Sequence, residues 1–525
     1  MCPAEKRETK TKLDKVFGRP YSRGKYHILN SGYSHHGANV VKKSLIGWDS
    51  TSLGPKSDID DNINRLRQRS RDLYMGGALV ATGAIKTIRT NVIGAGLKVK
   101  PAIHANVLGL SDEEAEEWQR RAQQEFNLWA GSKNSDAARR NNFAELQQLA
   151  FISWLVSGDV FVVPKFKKRI DTPYETCVLL VDADRVCNPQ MSDVGDRTII
   201  EGLEFSDDGE VVAFHICNQH PYDSVNSKIP RKWTRVEAYG KKTGRPNVLH
   251  IMEMERTGQA RGVPMLAPII EAAKQLGRYT EAELVAAVVA GMFTVFLSTE
   301  TPNEPLGQSA VPDEELIDED DENTVELGNG AVVDLGPNGK AQTVNPGRPY
   351  AGFNDFVVAV CRQIGAALEL PYEVLTKQFT SSYSASRGAL IEAWKMYKMR
   401  RSWFISDFCQ PIYEEVISEA IALGRIEAPG FWSDPLIRSA WLNAEWYGPT
   451  QGQLDPLKEV NAAAKRVEEG FSTGARETSE LTGGEFEANV EQIKRENRLK
   501  EIAGMKKNGG GDSAVLGDEQ DPDKE

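Results

Sequence analysis

Residues able to do chemistry are plentiful in this chain, but their spacing does not gather them into a reactive set. A phosphate-cradling loop needs a glycine, four spacers and then Gly-Lys-Ser/Thr, so that backbone N–H groups and the lysine wrap the phosphates. Gly240-Lys241 and Gly339-Lys340 lack both the earlier glycine and the following hydroxyl. Gly94-Ala95-Gly96 follows a helical stretch instead of opening one, so it reads as a helix stop and not as a dinucleotide fingerprint. No nucleophile elbow and no His-Glu-x-x-His zinc pair is read from the sequence. Paired carboxylates are uninformative in an acidic chain of net charge −12. No catalytic residue, no cofactor and no enzymatic activity is expected.

Metal ligation fares no better. Cys2, Cys177, Cys187, Cys217, Cys361 and Cys409 contain no CxxC pair and read as free thiols of a reducing compartment. Cys217, His220 and Asp223 fall where a strand runs into a turn, and alternating side chains there do not converge. Residues 313–322 hold eight acids in ten positions but lack the glycine of an EF-hand loop. They read as a mobile, solvated loop.

Three polar groupings remain. Lys377, Gln378, Thr380, Ser381, Ser382, Ser384, Ser386 and Arg387 set short polar side chains between two cations. Hydroxyls can hydrogen-bond phosphate oxygens, though an exposed connection between helices reads the same way. Glu271, Lys274, Arg278 and Glu281 recur at helical spacing beside an apolar stripe of Leu266, Ile269, Ala273, Leu276, Leu284 and Val288. Lys395, Lys398, Arg400 and Arg401 put four cations within seven residues, suited to a solvated face, a salt bridge between subunits or DNA.

At 525 residues, 40% hydrophobic and 26% charged, the chain is an ordinary globular protein of several domains. Proteins that neutralise many phosphates are usually basic, so a pI of 5.4 excludes a tight grip on DNA. Lys6, Arg7, Lys10, Lys12 and Lys15 precede no apolar signal core. The longest mainly apolar run, Leu284 to Leu297, falls short of the ~20 residues of a membrane span, so no membrane partner is expected.

The elements that must position these groups follow from periodicity and punctuation. Asp58, Asp60 or Asp61 offers a cap to a helix running to Asn91, followed by a strand over Leu97–Pro101. Ser111 with Glu114 opens a helix that ends at Gly131. Another helix starts at Asn142 with Phe143, Leu146, Leu149, Ile152 and Val156 on one face, and gives way at Gly158-Asp159 to the strand Val160–Val163. Short β-branched runs and turn signals fill 175–253. A long helix follows Arg261-Gly262-Val263-Pro264 as far as Leu297, strand-like pieces cover Thr324–Leu327 and Ala331–Leu335, and a helix covers Asp355–Leu368. A very long helix then runs from Gly388 to Leu423, with a kink near Asp407–Pro411.

Five segments together resemble the lambda-type portal family of tailed bacteriophages. They are Ser70-Arg71-Asp72-Leu73 with Asn91–Leu97; Ser157–Phe161; Val248-Leu249-His250 with Gln259–Pro264; Leu370–Leu375 with Ser381–Arg387; and Trp446-Tyr447-Gly448-Pro449 with Asp455-Pro456 and Lys458-Glu459. The pattern departs from the family at Tyr74-Met75-Gly76-Gly77. The resemblance implies an α+β portal fold closing into a ring of about twelve subunits at a capsid vertex. Its parts would be an N-terminal arm (1–44), a wing (45–140 and 298–375), two stem helices (141–165 and 254–297) and a β-rich clip (166–253). A channel loop (376–387), a long kinked helix (388–424), a crown (425–507) and a disordered tail (508–525) would complete the chain. It further implies DNA packaging and ejection, with loosely held double-stranded DNA in the bore. Partners would be the terminase large subunit, the major capsid or scaffold protein and neck or head-tail joining proteins. The site would be the virion vertex, after assembly in the host bacterial cytoplasm. A head-tail adaptor ring without a packaging role is the alternative.

Overall fold

Capping residues and glycines set several helix ends in the computed structural model of this chain. It describes residues 43–502 apart from 46, 49–51, 190–198, 224–228, 292–294, 298–331, 335–351, 380–381, 453–455 and 485. Met1–Gly54 forms a unit by itself, and the architecture below is that of Pro55–Glu525. The expected N-terminal arm up to residue 42, the acidic loop, the strand Thr324–Leu327 and the tail lie outside the described residues.

The first long helix is broken in two. α1 (Ile63–Asp72) passes through a π-turn at Leu73–Gly77 before α2 (Leu79–Val92). Gly76 and the extended Ala78 interrupt the helical path, which the single helix expected over Asp58–Asn91 did not allow for. Asp60 is no cap either: it is buried and accepts from the backbone N–H groups of Ala260 and Arg261 at 3.3 and 3.1 Å. β1 (Lys98–Pro101) follows.

Capping boxes open the next two helices, Ser111 with Glu114 for α3 (Asp112–Gly131) and Asn142 with Glu145 for α4 (Phe143–Ser157). α4 is buried on most sides, through Gln147, Ala150, Phe151, Trp154 and Leu155 as well as Phe143 and Leu146. Leu149, expected on its apolar face, is exposed, because the buried surface is set by the neighbours around the helix and not by one stripe.

Gly158 turns the chain into β2 (Asp159–Phe166), the centre of an antiparallel sheet of order β3-β2-β8 with β3 (Thr176–Val181) and β8 (Leu249–Met252). Between them, β4 (Ile199–Ile200), β5 (Leu203–Phe205), β6 (Val211–Cys217) and β7 (Trp233–Glu237) form a four-stranded antiparallel meander. Phe161, Val163, Val181, Leu203, Phe214 and Val248 share one small core there.

α5 (Ile270–Gly291) stops short of the expected Leu297. Gly291 ends it, and β-branched and aromatic residues make β9 (Val295–Leu297), parallel to β10 (Val332–Asp334). Ile269, Ala273 and Leu276 are buried as the stripe predicts, but Leu284 and Val288 are 66% and 53% exposed.

α6 (Phe353–Ala367) and α7 (Tyr372–Thr376) lead to α8 (Tyr383–Phe404), which continues through a π-turn at Ile405–Cys409 into α9 (Gln410–Ala422). Pro411, which has no N–H to donate, sits at the start of α9, so the expected kink takes the form of that π-turn. The long helix begins five residues before the expected Gly388. Aromatic contacts tie it into the largest core: Phe143 stacks on Phe408 at 5.5 Å, and Phe151 meets Phe404 edge-on at 5.5 Å. α10 (Pro435–Leu442), β11 (Ala444–Tyr447), α11 (Pro456–Glu468), α12 (Gly474–Thr482) and α13 (Phe486–Ile502) follow, with β11 antiparallel to β1.

One buried ionic cluster joins these parts. The Asp159 carboxylate at the head of β2 accepts from Arg261 Nε at 2.6 Å and Nη2 at 3.1 Å, from Arg67 Nη2 at 3.2 Å and from the Gly262 N–H at 3.3 Å. Arg67, Asp159 and Arg261 are all at most 1% exposed. Arg67 also donates to the Ser157 carbonyl and to Asp184; Arg261 donates to the carbonyls of Ala183, Val186 and Glu201. Burial alone would raise the Asp159 pKa, but the charges of Arg261 and Arg67 outweigh it and hold it far below the usual range. His250 lies 3.2 Å from Asp159 and stacks on Phe161 at 4.3 Å, and burial lowers its pKa.

Asp159→Ala should therefore leave two guanidinium groups buried without their counter-charge, at a cost of about 3–5 kcal/mol in unfolding free energy. Denaturant titration checks this, and a loss below about 1 kcal/mol would contradict the cluster's role. The His250 pKa is depressed in the folded state, so the unfolded chain binds the extra proton. The stability this gives is present above the ordinary value of 6.5 and declines as the pH falls below it. A His250→Asn chain should show a shallower decline of melting temperature between pH 7 and 5.5.

Candidate functional site

The polar loop is short, and both of its ends are fixed by local chemistry. α7 ends at Lys377, whose φ of 57° reverses the chain, while the Gln378 N–H donates to the Glu373 carbonyl at 3.1 Å. Ser382 caps α8, its hydroxyl accepting from the Ala385 N–H at 3.4 Å. Of the eight residues expected in the loop, Lys377, Gln378 and Ser382 lie in it; Thr380 and Ser381 lie outside the described residues. Ser384, Ser386 and Arg387 belong to the first turns of α8, with Ser384 and Arg387 exposed and Arg387 3.9 Å from Glu459.

The loop's base is rigid. Leu370, Val374 and Leu375 are buried, and a Cβ on Gly365 would meet the Leu370 carbonyl at 2.5 Å. Arg400, 7% exposed at the side chain, pairs with Glu253 at 2.6 Å and Glu369 at 3.2 Å. It thereby connects α8 to the strand leaving the β-rich region and to the turn before α7.

Arg401 makes the second joint. Its guanidinium donates to the carbonyls of Asn91, Val92 and Pro449 at 2.8–2.9 Å, lies over Trp394, and has its pKa lowered to about 10 by burial. A cation on the last carbonyls of α2 also complements the helix dipole. Gly448 admits this arrangement, since a Cβ there would lie 2.9 Å from Arg401 Nε, and a Cβ on Gly94 would lie 2.4 Å from Pro449. Of the four-cation run, then, Arg400 and Arg401 serve internal joints, Lys395 pairs with Glu392, and Lys398 is exposed. Sequence reasoning missed both roles, because the partners are backbone carbonyls and distant acids with no local signal.

The row on α5 behaves as its spacing predicts in one respect. Glu271, Lys274, Arg278 and Glu281 are all exposed, on the side away from Ala273 and Leu276. Val285 and Val288 continue that face.

Arrangements that could do chemistry are occupied by structure. Among the described residues, Asp182, Asp184 and His220 form the one grouping close enough to hold a metal ion. Asp184, however, is already held by Arg67 at 2.8 Å and by Arg71, so guanidinium groups supply the positive charge. The side chains of Cys217 and Asp223 are not part of it, and the alternation of side chains along the strand gave no reason to expect them there. Gly470-Phe471-Ser472-Thr473-Gly474 does spell a nucleophile elbow, a match the sequence reading passed over. It joins two helices, whereas an elbow turns from a strand into a helix, and Thr473 caps α12. A cleft of about 1190 Å³ lies between α8 and residues 446–481 and includes the Arg466–Glu477 pair at 2.6–2.8 Å. Among the described residues no helix is long and apolar enough to cross a membrane.

Residues 42–401 match the family described as phage portal protein, lambda family. Portal protein B of Escherichia phage lambda is 24% identical over 503 residues, covering 91% of each chain. The portal protein of Escherichia phage N15 is 24% identical over 500 residues, covering 90% of this chain and 91% of its own. Among solved structures, the neck of a native GTA particle computed with C12 symmetry is 13% identical, covers 78% of this chain and 92% of its own, and gives a TM-score of 0.35. The neck of the empty GTA particle computed with C6 symmetry gives 12% identity, the same coverage and a TM-score of 0.38. Overlap at that level carries no geometry across.

Arg401→Ala should remove three charge-assisted hydrogen bonds to carbonyls and cost about 3 kcal/mol, read as a lower urea midpoint. Gly448→Ala should destabilise in the same direction, and a neutral result for both would refute this joint.

Proposed function

The chain belongs to the lambda family of phage portal proteins, and from that membership we propose how its parts work as a ring at one capsid vertex. It is a portal protein, a structural component of the virion. In the proposed ring about twelve copies surround double-stranded DNA during packaging and ejection. The β-rich region 166–253 docks the terminase large subunit and then neck or head-tail joining proteins, and the wing, 45–140 with 298–375, meets the major capsid or scaffold protein. Assembly takes place in the host cytoplasm.

One observation carries this assignment of parts. α4 leads into the β-rich region and the segment before α5 leads out of it, and the two meet at Gly158 and Gly262, where a Cβ on either glycine would lie about 2 Å from the other's carbonyl oxygen. Two helices joined at their necks with a β module hung beyond them is the layout that a stem and clip require.

The DNA path follows from charge. Each phosphate neutralised by a fixed cation holds the strand at one position, and many such contacts would stall movement. About twelve chains of −12 carry roughly −144 formal charges, which keeps a polyanion off the wall. Contact is then confined to the loop, where Lys377, Gln378, Thr380, Ser381 and Ser382, with Ser384, Ser386 and Arg387 behind them on α8, offer brief hydrogen bonds. Glu271, Lys274, Arg278 and Glu281 face the bore along α5 and pair around the ring.

The purified chain should image as closed rings with a central hole; monomers at high concentration, or unaided ATP hydrolysis, would overturn the reading. Lys274→Glu with Arg278→Glu should lower the yield of packaged particles by about tenfold or more through like-charge repulsion. An unchanged titre would remove the α5 row from the proposal.

A further inference from the structure

One face of α8 looks into the cleft of about 1190 Å³ that separates it from the turn after β11 and from α11 and α12. Ile391, Trp394, Lys398, Arg401 and Ile405 recur there at alternating steps of three and four residues, so a single side of the helix forms the wall. Trp446, Pro449 and Leu481 add apolar surface. Pockets for small molecules run to roughly 300–1,000 Å³, and a cleft above that range has room for a stretch of chain.

The charge of this cleft is opposite to that of the chain. Seven cations and four acids line it, a balance of +3 in a chain of −12. The four acids are engaged: Glu477 with Arg466, Glu480 with Arg476, Glu459 with Arg387 and Glu445 with the Tyr447 hydroxyl. On the α8 wall, Arg401 gives its donors to carbonyls and Lys398 is exposed, and neither pairs with a carboxylate among the described residues. A half-buried guanidinium without a counter-charge is costly, and an acid brought to it offsets that cost.

A segment able to supply acids is rooted beside the cleft. Glu487, at the start of α13, pairs at 2.7 Å with Lys100, which lines the cleft. The 17 residues of α13 carry the chain about 25 Å from that point, and the eleven residues 503–513 span up to about 36 Å when extended. The chain beyond them can therefore return. Asn508-Gly509-Gly510-Gly511 has the composition of a flexible spacer. Ala514-Val515-Leu516 then offers apolar side chains, and Asp518, Glu519, Asp521, Asp523 and Glu525 follow with Lys524 as the one cation among them. Apolar residues followed by acids complement a wall that sets Ile391 and Trp394 beside Lys398 and Arg401.

We propose that residues 514–519 of the same chain occupy this cleft, with Val515 and Leu516 against Ile391 and Trp394 and the acids from Asp518 onward at Lys398 and Arg401. The segment after α13 thereby straps α11 and α12 to α8. The inference concerns a contact within one chain and does not depend on the ring reading above.

The test is disulfide cross-linking in the full chain, with Ile391→Cys combined in turn with Ala514→Cys, Val515→Cys and Leu516→Cys. At least one pair should close within a single chain on mild oxidation, read as a faster band and as a linked peptide pair by mass spectrometry. Wild type and the single variants should give neither. Adding Lys398→Glu to the pair that closes best should keep the circular dichroism unchanged and slow closure about fivefold or more, and so should Asp518→Lys with Glu519→Lys. Absence of an intrachain link in all three pairs would overturn the inference, as would closure that both charge reversals leave unchanged. A ladder of covalent oligomers in place of the intrachain link would assign the cleft to the tail of another copy and overturn it too.

Discussion

A carboxylate with no access to water, held between two equally buried guanidinium groups, is the constraint on which the arrangement of this chain depends. Asp159 belongs to β2, Arg67 to α1 and Arg261 to the segment before α5, so one charge fixes three stretches far apart in sequence. Desolvating three charges is expensive, and their attraction repays it only when the remaining donors are satisfied. Here Ser157, Ala183, Val186 and Glu201 carbonyls take the outlying N–H groups. The arrangement tolerates no substitute geometry, because Gly158 and Gly262 bring two backbones into contact beside it.

The same device recurs wherever segments distant in sequence must meet. Arg401 gathers the end of α2 and the turn after β11, and Arg400 gathers the turn before α7 and the strand leaving the β-rich region. An apolar contact could bury as much area, but it would accept a shift of an ångström. A planar group with fixed donors does not, so each joint sets an orientation as well as a distance. In a subunit whose proposed task is to hold a loop at a defined radius, that distinction decides the choice of residue.

How much of this was legible in the sequence varies with the range of the interaction. Capping boxes at Ser111 and Asn142, the strand Val211–Cys217 and the interruption ahead of Pro411 are local, and their signals lie within a few residues. The break at Gly76-Gly77 is local too, but helical periodicity ran across it and hid it. The end of α5 was placed six residues late, because an apolar run reads alike as buried helix and as strand. The segments that resemble the portal family were visible, while their purpose was not: Gly158-Asp159 is explained by Arg261-Gly262, and Gly448-Pro449 by Gly94 and Arg401, only in three dimensions. Of the proposed loop, the sequence marked the composition and misplaced the edge. Ser382 caps α8, so half of the stretch is helix.

Charge ties these observations to the proposed movement of DNA. Cation clusters in a nucleic-acid-handling protein invite assignment as phosphate contacts, and Lys395–Arg401 is such a cluster. Its two arginines point inward, one to a pair of acids and the other to carbonyls. Arg67 and Arg261 are likewise internal. An arginine whose partners are carbonyls, as for Arg401, removes a positive charge from the surface without removing a negative one. Asp60, held by the backbone N–H groups of Ala260 and Arg261, withdraws a negative charge in the same way, so the acidity of the solvent face is set by the exposed acids and not by the buried ones. The joints that make the subunit rigid thus draw on buried arginines and their acids, whereas the proposed repulsion of DNA draws on exposed acids, so the two can change independently.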